Sequence, residues 1–167
     1  MKLFLVGLPG SGKSTLGKQL AERLSSPFID LDDAIESQAR QPIREIFAQE
    51  GEAHFRQLER QTLQSIIKQH SSFVMATGGG APCFSNNMAI MNQAGTTLFV
   101  DTPVATIAAR MLQEGIAVRP LLQQLDPDNF EQAYLDRFAY RLPYYQQASI
   151  RVSPEDTLNT LLERIKS

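Results

Sequence analysis

The chain has 167 residues, 43% of them hydrophobic and 20% charged, with a formal net charge of −2. That length and balance suit one folded domain with a full core. The charge excludes dense Lys/Arg contact with a polyanion, so nucleic acid is not an expected partner. The lone cysteine, Cys83, excludes an internal disulfide and a thiolate metal centre, in keeping with a reducing, cytoplasmic location.

Strand and helix alternate from the start. "KLFLVG" is apolar throughout, as a strand covered on both faces should be. It is too short for a signal-peptide core or a membrane span, so no membrane association is expected. A helix is predicted from about Lys13 to Leu24, then a short strand "PFID" and a helix starting near Asp32 or Asp33. Residues Ile43 to Lys68 read as helical with a break at Gly51, and Phe55, Leu58, Thr62 and Ile66 share one face. "FVMA", a helix over Asn86 to Gln93 ending at Gly95, and "TTLFV" follow. "DTPVA", "LDPDN" and "VSPED" each place a capping residue before a proline and predict three later helix starts. "ASIRV" makes a fifth strand. The fold class is α/β: a P-loop NTPase-like three-layer α/β/α arrangement around a central five-stranded parallel sheet, in one domain spanning 1–167.

"GLPGSGKST" (Gly7 to Thr15) follows a buried strand and opens a helix, which is the context a P-loop requires. Glycines let the backbone wrap around phosphate, and the amides from Gly10 through Thr15 point at it with the helix dipole behind them. Lys13 is positioned to bridge the β- and γ-phosphates, and Ser14 to offer its hydroxyl to Mg²⁺. Guanine-specific switches carry an N-K-x-D element after a strand, and the chain has none. The expected class is therefore a small-molecule kinase, which needs an acceptor site.

"FIDLDDAIE" (Phe28 to Glu36) places Asp30 and Asp32 two apart at the end of the second strand. They share a face if the strand continues, beyond the carboxyl ends of the strands where ligands gather. One carboxylate is suited to help hold Mg²⁺, through water, and the other to accept a hydrogen bond from the attacking hydroxyl. Asp30 is assigned to the metal with Ser14, and Asp33 with Glu36 to a helix capping box.

With these residues in view the sequence resembles the shikimate kinases. "GEAHFRQLE" (Gly51 to Glu59) is similar to that family's G-E-x-x-F-R-x-x-E segment, "TGGG" to its glycine motif, "VRPLL" to its lid arginine segment and "YRLPYY" to its late R-x-P-x-Y. The resemblance spans nearly the whole chain. It implies an ATP-dependent kinase that phosphorylates the 3-hydroxyl of shikimate, with Mg²⁺ as cofactor. The sequence has no coiled-coil seam, so a monomer is the default expectation. The resemblance also implies that Arg56 and Arg141 clamp the acceptor's carboxylate, that Gly78, Gly79 and Gly80 form the floor beneath it, and that Asp32 meets its hydroxyls. It further implies a lid at about 112–126 carrying Arg119 to the transferring phosphoryl group, with Arg110 against adenine. Lys13, Asp32 and Arg119 are then the catalytic set.

One stretch departs from the family. After the glycines the chain reads "APCFSNNM", where many members have a small residue and then valine. Pro82 changes the exit from the glycine turn. Asp101 is assigned to the cap before Pro103 rather than to the metal. The competing readings are a kinase for another hydroxylated acid such as gluconate, and a nucleotide-binding regulator that has lost catalysis.

Overall fold

The computed structural model describes residues 1–114 and 127–167. Five strands form one parallel sheet: β1 (Lys2–Val6), β2 (Phe28–Asp30), β3 (Phe73–Ala76), β4 (Thr96–Val100) and β5 (Ile150–Val152). Their spatial order is β2-β3-β1-β4-β5, with β1 at the centre.

Alternation along β1 builds the layers. Leu3 and Leu5 point to one face, where they meet α1 (Lys13–Arg23) through Leu20 and α8 (Leu158–Lys166) through Leu161 and Ile165. Phe4 and Val6 point to the other face. There they join a core with Leu31 and Ile35 of α2 (Leu31–Ala39), Phe55 and Leu63 of α3 (Ile43–Gln69) and Met91 of α4 (Asn87–Ala94). Ile107 of α5 (Val104–Glu114), Tyr134 of α6 (Phe130–Phe138) and Tyr145 of α7 (Leu142–Tyr145) complete that second core. Each fully buried aliphatic or aromatic side chain contributes roughly 1.5–3 kcal/mol, so the two faces hold the sheet in place from both sides. The expected three-layer α/β/α fold is the observed one.

Gly51 sits inside α3 at φ 84° and ψ 173°, a conformation open essentially only to glycine. It separates two helical pieces, 43–50 and 52–69, as the sequence led one to expect. Both pieces face the same depression, the first through Ile43 and Phe47, the second through Phe55, Arg56 and Glu59.

Several predicted helix starts differ in detail. Asp30, not Asp33, caps α2: its Oδ1 accepts from the amides of Asp32 and Asp33 at 3.0 and 3.3 Å. The strand ends at Asp30, two residues short of what the two-apart argument assumed, so Asp32 stands on the first turn of the helix. Glu36 does not close a capping box but accepts from the Ile43 amide at 3.0 Å, tying α2 to α3. At the C-terminus the cap is Thr157, in a reciprocal box with Thr160, while Ser153 and Asp156 close a preceding turn. Before α5, Thr102 turns its hydroxyl to the Ser11 carbonyl at 2.7 Å instead of capping. Asp101 is taken by Arg151 at 2.7 Å rather than serving the helix start. In "LDPDN" a short 3₁₀ turn, Pro127–Asn129, precedes α6, and Asp126 lies outside the described residues.

Candidate active site

The P-loop joins the central strand to α1. Gly12 ends it in the left-handed region at φ 96°, and no side chain caps the helix or places an acid in its first turn. Its leading amides and positive dipole end therefore remain available to an anion. Lys13 is buried, with Nζ donating to the carbonyls of Gly7 and Leu8 at 2.9 and 3.0 Å. Later elements grip the same loop. Thr102 and Arg110 donate to the Ser11 carbonyl, at 2.7 and 3.4 Å, and Tyr134 donates to that of Pro9 at 2.5 Å.

Two cavities flank the loop. The larger, about 530 Å³, takes Gly10, Ser11, Gly12 and Thr15 from the loop side, and across it Arg110 of α5, Asp156 of the turn before α8 and Leu158 of α8. The smaller, about 300 Å³, takes Lys13 and Ser14 together with Asp30, Asp32, Arg56, Gly78, Gly79, Gly80 and Arg141. Lys13 and Ser14, which line the smaller cavity, lie in sequence between Gly12 and Thr15, which line the larger. A phosphoryl donor along the loop and an acceptor in the smaller cavity would face each other there.

Ser14 Oγ donates to Asp30 Oδ2 at 3.3 Å, which brings the two candidate metal-binding oxygens together. Asp32 is mostly enclosed. Its carboxyl is pushed up from 3.8 to about 6, first by burial and then by the neighbouring charge of Asp30, against the pull of Lys13 and Arg56. Such a group is a stronger base than an ordinary carboxylate.

The three glycines play a part the sequence did not reveal. A Cβ on Gly78 would stand 2.9 Å from Asp32 Oδ1. One on Gly79 would stand 3.0 Å from Arg141 Nη1, and one on Gly80 would stand 2.5 Å from Arg56 Nη2. Each glycine thus leaves room for one of three polar side chains that line the cavity.

The two arginines are not solvated helix charges. Arg56 Nη1 donates to the buried Glu59 carboxylate at 2.9 Å, and its guanidinium lies over the rings of Phe55 and Phe84 at 5.1 and 4.1 Å. Arg141 lies over Phe138 and Tyr140, and donates to Tyr140 Oη at 3.1 Å. On α6, Asp136 is bound by Gln132. Burial pushes Glu59 up from 4.5 to about 7, opposed by Arg56.

Sequence reasoning left three contributors without a role. Glu59 was inside a quoted motif, but its burial at 1% exposure is a tertiary fact. Tyr145, the last residue of "RLPYY", donates to the Gly79 carbonyl at 2.5 Å and so ties the floor to α7. Burial raises its phenol well above the usual value, which keeps it a donor. Phe84 had no signal beyond its place in the departing segment. Cys83 is no candidate nucleophile, because burial pushes its thiol up to about 11. Arg119 and residues 115–126 of the expected lid lie outside the described residues.

A parallel α/β sheet with a P-loop, and beside it a second cavity with two arginines and a basic carboxylate, defines a nucleotide-dependent kinase of a small acidic acceptor. The comparisons with known proteins make this specific. A family model for shikimate kinase matches residues 9–166. The chain is 37% identical to the shikimate kinase of Azobacteroides pseudotrichonymphae over 98% of its own length and 99% of the relative's. The crystal structure of shikimate kinase from Bacteroides thetaiotaomicron superposes with a TM-score of 0.89 at 36% identity, covering 100% of this chain and 99% of that one. A shikimate kinase from Acinetobacter baumannii, solved in complex with shikimate, gives 0.80 at 34% identity over 98% and 88% of the two chains. The chain belongs to the shikimate kinase family.

Proposed function

We infer that the protein transfers the γ-phosphoryl group of ATP to the 3-hydroxyl of shikimate, releasing ADP and shikimate 3-phosphate. The observation that carries this reading is the smaller cavity. Two arginines, each seated on aromatic rings, and one enclosed carboxylate converge there beside the lysine of the P-loop. Shikimate offers one carboxylate for the arginines and neighbouring hydroxyls for the acid. Guanidinium forks bind carboxylates through two parallel hydrogen bonds, which fixes orientation as well as position.

In this reading ATP lies along the P-loop, with its base in the larger cavity near Arg110. The acceptor rests on Gly78, Gly79 and Gly80, held by Arg56 and Arg141. Asp32 accepts the hydrogen bond of the 3-hydroxyl, and its raised basicity suits it to take the proton as the new P–O bond forms and the bond to ADP breaks. Phosphoryl transfer passes through a loose transition state, so alignment and charge neutralisation carry most of the catalysis. Lys13 supplies charge at the β- and γ-phosphates, and Arg119 completes it from the lid.

The residues present fit Mg²⁺. Ser14 and Asp30 are hard oxygen donors beside the loop, and no larger cluster of acidic, histidine or cysteine residues competes for a metal among the described residues. Ser14 would ligate the ion directly and Asp30 through water. When bound, it neutralises the β- and γ-oxygens. Both cavities are lined by one chain, which supports action as a monomer. Use of ATP and a free Cys83 thiol support a cytoplasmic location.

The test is Arg56→Ala. The expected result is a rise in the KM for shikimate of roughly thirty- to hundredfold, as loss of a charge-assisted pair gives, with the KM for ATP nearly unchanged. Equal rises in both would overturn the clamp. A second expected outcome concerns Tyr145→Phe, which deletes the hydrogen bond to Gly79 and the phenol's interaction with Arg141. Loosening the floor should raise the KM for shikimate by about three- to tenfold, the value of a buried hydrogen bond, measured by steady-state kinetics at saturating ATP.

A further inference from the structure

The departing segment "APCF" ends in the residue that lies against the acceptor clamp. The guanidinium carbon of Arg56 stands 4.1 Å from the Phe84 ring centroid, closer than to Phe55 at 5.1 Å. We propose that Phe84 is a positioning residue for the acceptor carboxylate: it fixes the guanidinium of Arg56 by its ring face. The proposal rests on the reading of Arg56 as part of the shikimate clamp.

Arg56 has few donors to spare. Its Nη1 donates to Glu59 at 2.9 Å, and its Nη2 to Glu52 at 3.5 Å. The Glu52 contact is long and made to an exposed side chain, so it holds the far edge of the guanidinium only weakly. A shorter hydrogen bond there would hold it, but would use the very N–H groups a carboxylate needs. A ring face holds a guanidinium without consuming a donor. Phe84 therefore restrains the fork and leaves its remaining edge for the acceptor.

The backbone around Phe84 is built to hold that ring. Ala81–Cys83 form a one-turn 3₁₀ helix with Pro82 buried in it, and the Cys83 amide donates to the Gly80 carbonyl at 3.0 Å. Immediately after Phe84, Ser85 and Asn86 both adopt left-handed conformations, at φ 54° and 58°. Two successive non-glycine residues in that region persist only where the surroundings enforce it. The enforcing residue is Asn87, fully buried, whose Nδ2 donates to the Ala81 carbonyl and whose amide donates to that of Phe84, both at 3.0 Å. The loop is clasped across its neck, and Phe84 is at its turn. Pro82 thus contributes to a preformed loop that aims a side chain at the clamp.

The experiment is steady-state kinetics on the full chain with Phe84 replaced by Leu, by Tyr and by a ring-trifluorinated phenylalanine. Phe84→Leu should raise the KM for shikimate by roughly five- to thirtyfold, within the range such contacts span, and leave kcat and the KM for ATP within about twofold. Phe84→Tyr should restore the wild-type KM. The trifluorinated ring, near in shape but with a weakened negative face, should give an intermediate KM. A wild-type KM in Phe84→Leu would overturn the proposal. So would a trifluorinated variant indistinguishable from wild type beside an impaired Phe84→Leu, since shape alone would then suffice. Parallel losses in kcat and in the KM for ATP would mark a general structural role and overturn it too. If the wild-type protein fails to phosphorylate shikimate, the parent reading falls and this one with it. If it succeeds and the Phe84 series is flat, this inference alone falls.

Discussion

Asp32→Asn is expected to lower turnover by about 10²–10⁴-fold, the usual contribution of a positioned acid–base group, and at the same time to stabilise the protein at neutral pH. Both effects come from one feature. Asp32 is enclosed, stands beside Asp30, and titrates near 6 instead of 3.8. Its folded pKa is raised, so the sign follows by linkage. Below about pH 4 the carboxyl is protonated whether the chain is folded or not, and it costs the fold nothing. As pH rises from there the unfolded chain ionises first, and the fold loses stability until the folded group ionises near 6. Above that point the charge is carried at a cost of about 3 kcal/mol. An amide of the same shape escapes that cost. In protein without added ligands, Asp32→Asn should therefore melt roughly 6–12 °C higher at pH 7.5. The two proteins should converge near pH 4. Thermal melts at three pH values together with an ADP-release assay measure both halves. Wild-type turnover in the variant would remove Asp32 from the mechanism.

Lys13→Met should abolish at least about 99.9% of turnover, since a charge aimed at the transferring group has no substitute in a loose transition state. Methionine keeps much of the buried stem and removes the ammonium. The carbonyls of Gly7 and Leu8 lose their donor, so some loss of stability accompanies it. A second readout separates charge from packing. Lys13 lowers the pKa of Asp32, so its removal should move the acidic limb of the residual pH–rate profile upward. A stable variant with more than about a tenth of wild-type turnover would show that Lys13 is not the main cation at the phosphates.

Much of this was legible in the sequence because it is local. The P-loop is one contiguous motif between a strand and a helix, and its glycines and lysine have little other use. The apolar strands and the alternation of elements led directly to the parallel sheet. Asp30 and Asp32 were visible as a pair, but which carboxylate caps α2 depends on where β2 ends, and a strand that stops at Asp30 leaves Asp30, not Asp33, as the cap. Arg56 and Arg141 taken singly read as surface charges. Phe55, Phe138 and Tyr140 are their neighbours in the chain, but only the fold brings Phe84 against Arg56. The same holds for Tyr145, which meets Gly79 across 66 residues of chain.

The glycine run shows the difference between seeing a motif and knowing its work. From sequence, "TGGG" was a surface that a flat, polar acceptor could lie on. In the fold, Gly78, Gly79 and Gly80 also make way for Asp32, Arg141 and Arg56 in turn. A single alanine at Gly80 would therefore press on the clamp itself.

The most direct measurement is a coupled ADP-release assay with ATP and Mg²⁺ across shikimate, quinate, gluconate and a set of nucleoside monophosphates. The account predicts rapid turnover with shikimate, a phosphorylated product at its 3-hydroxyl, and little or none with gluconate or the nucleotides. Rapid turnover with a nucleoside monophosphate or gluconate and none with shikimate would contradict it.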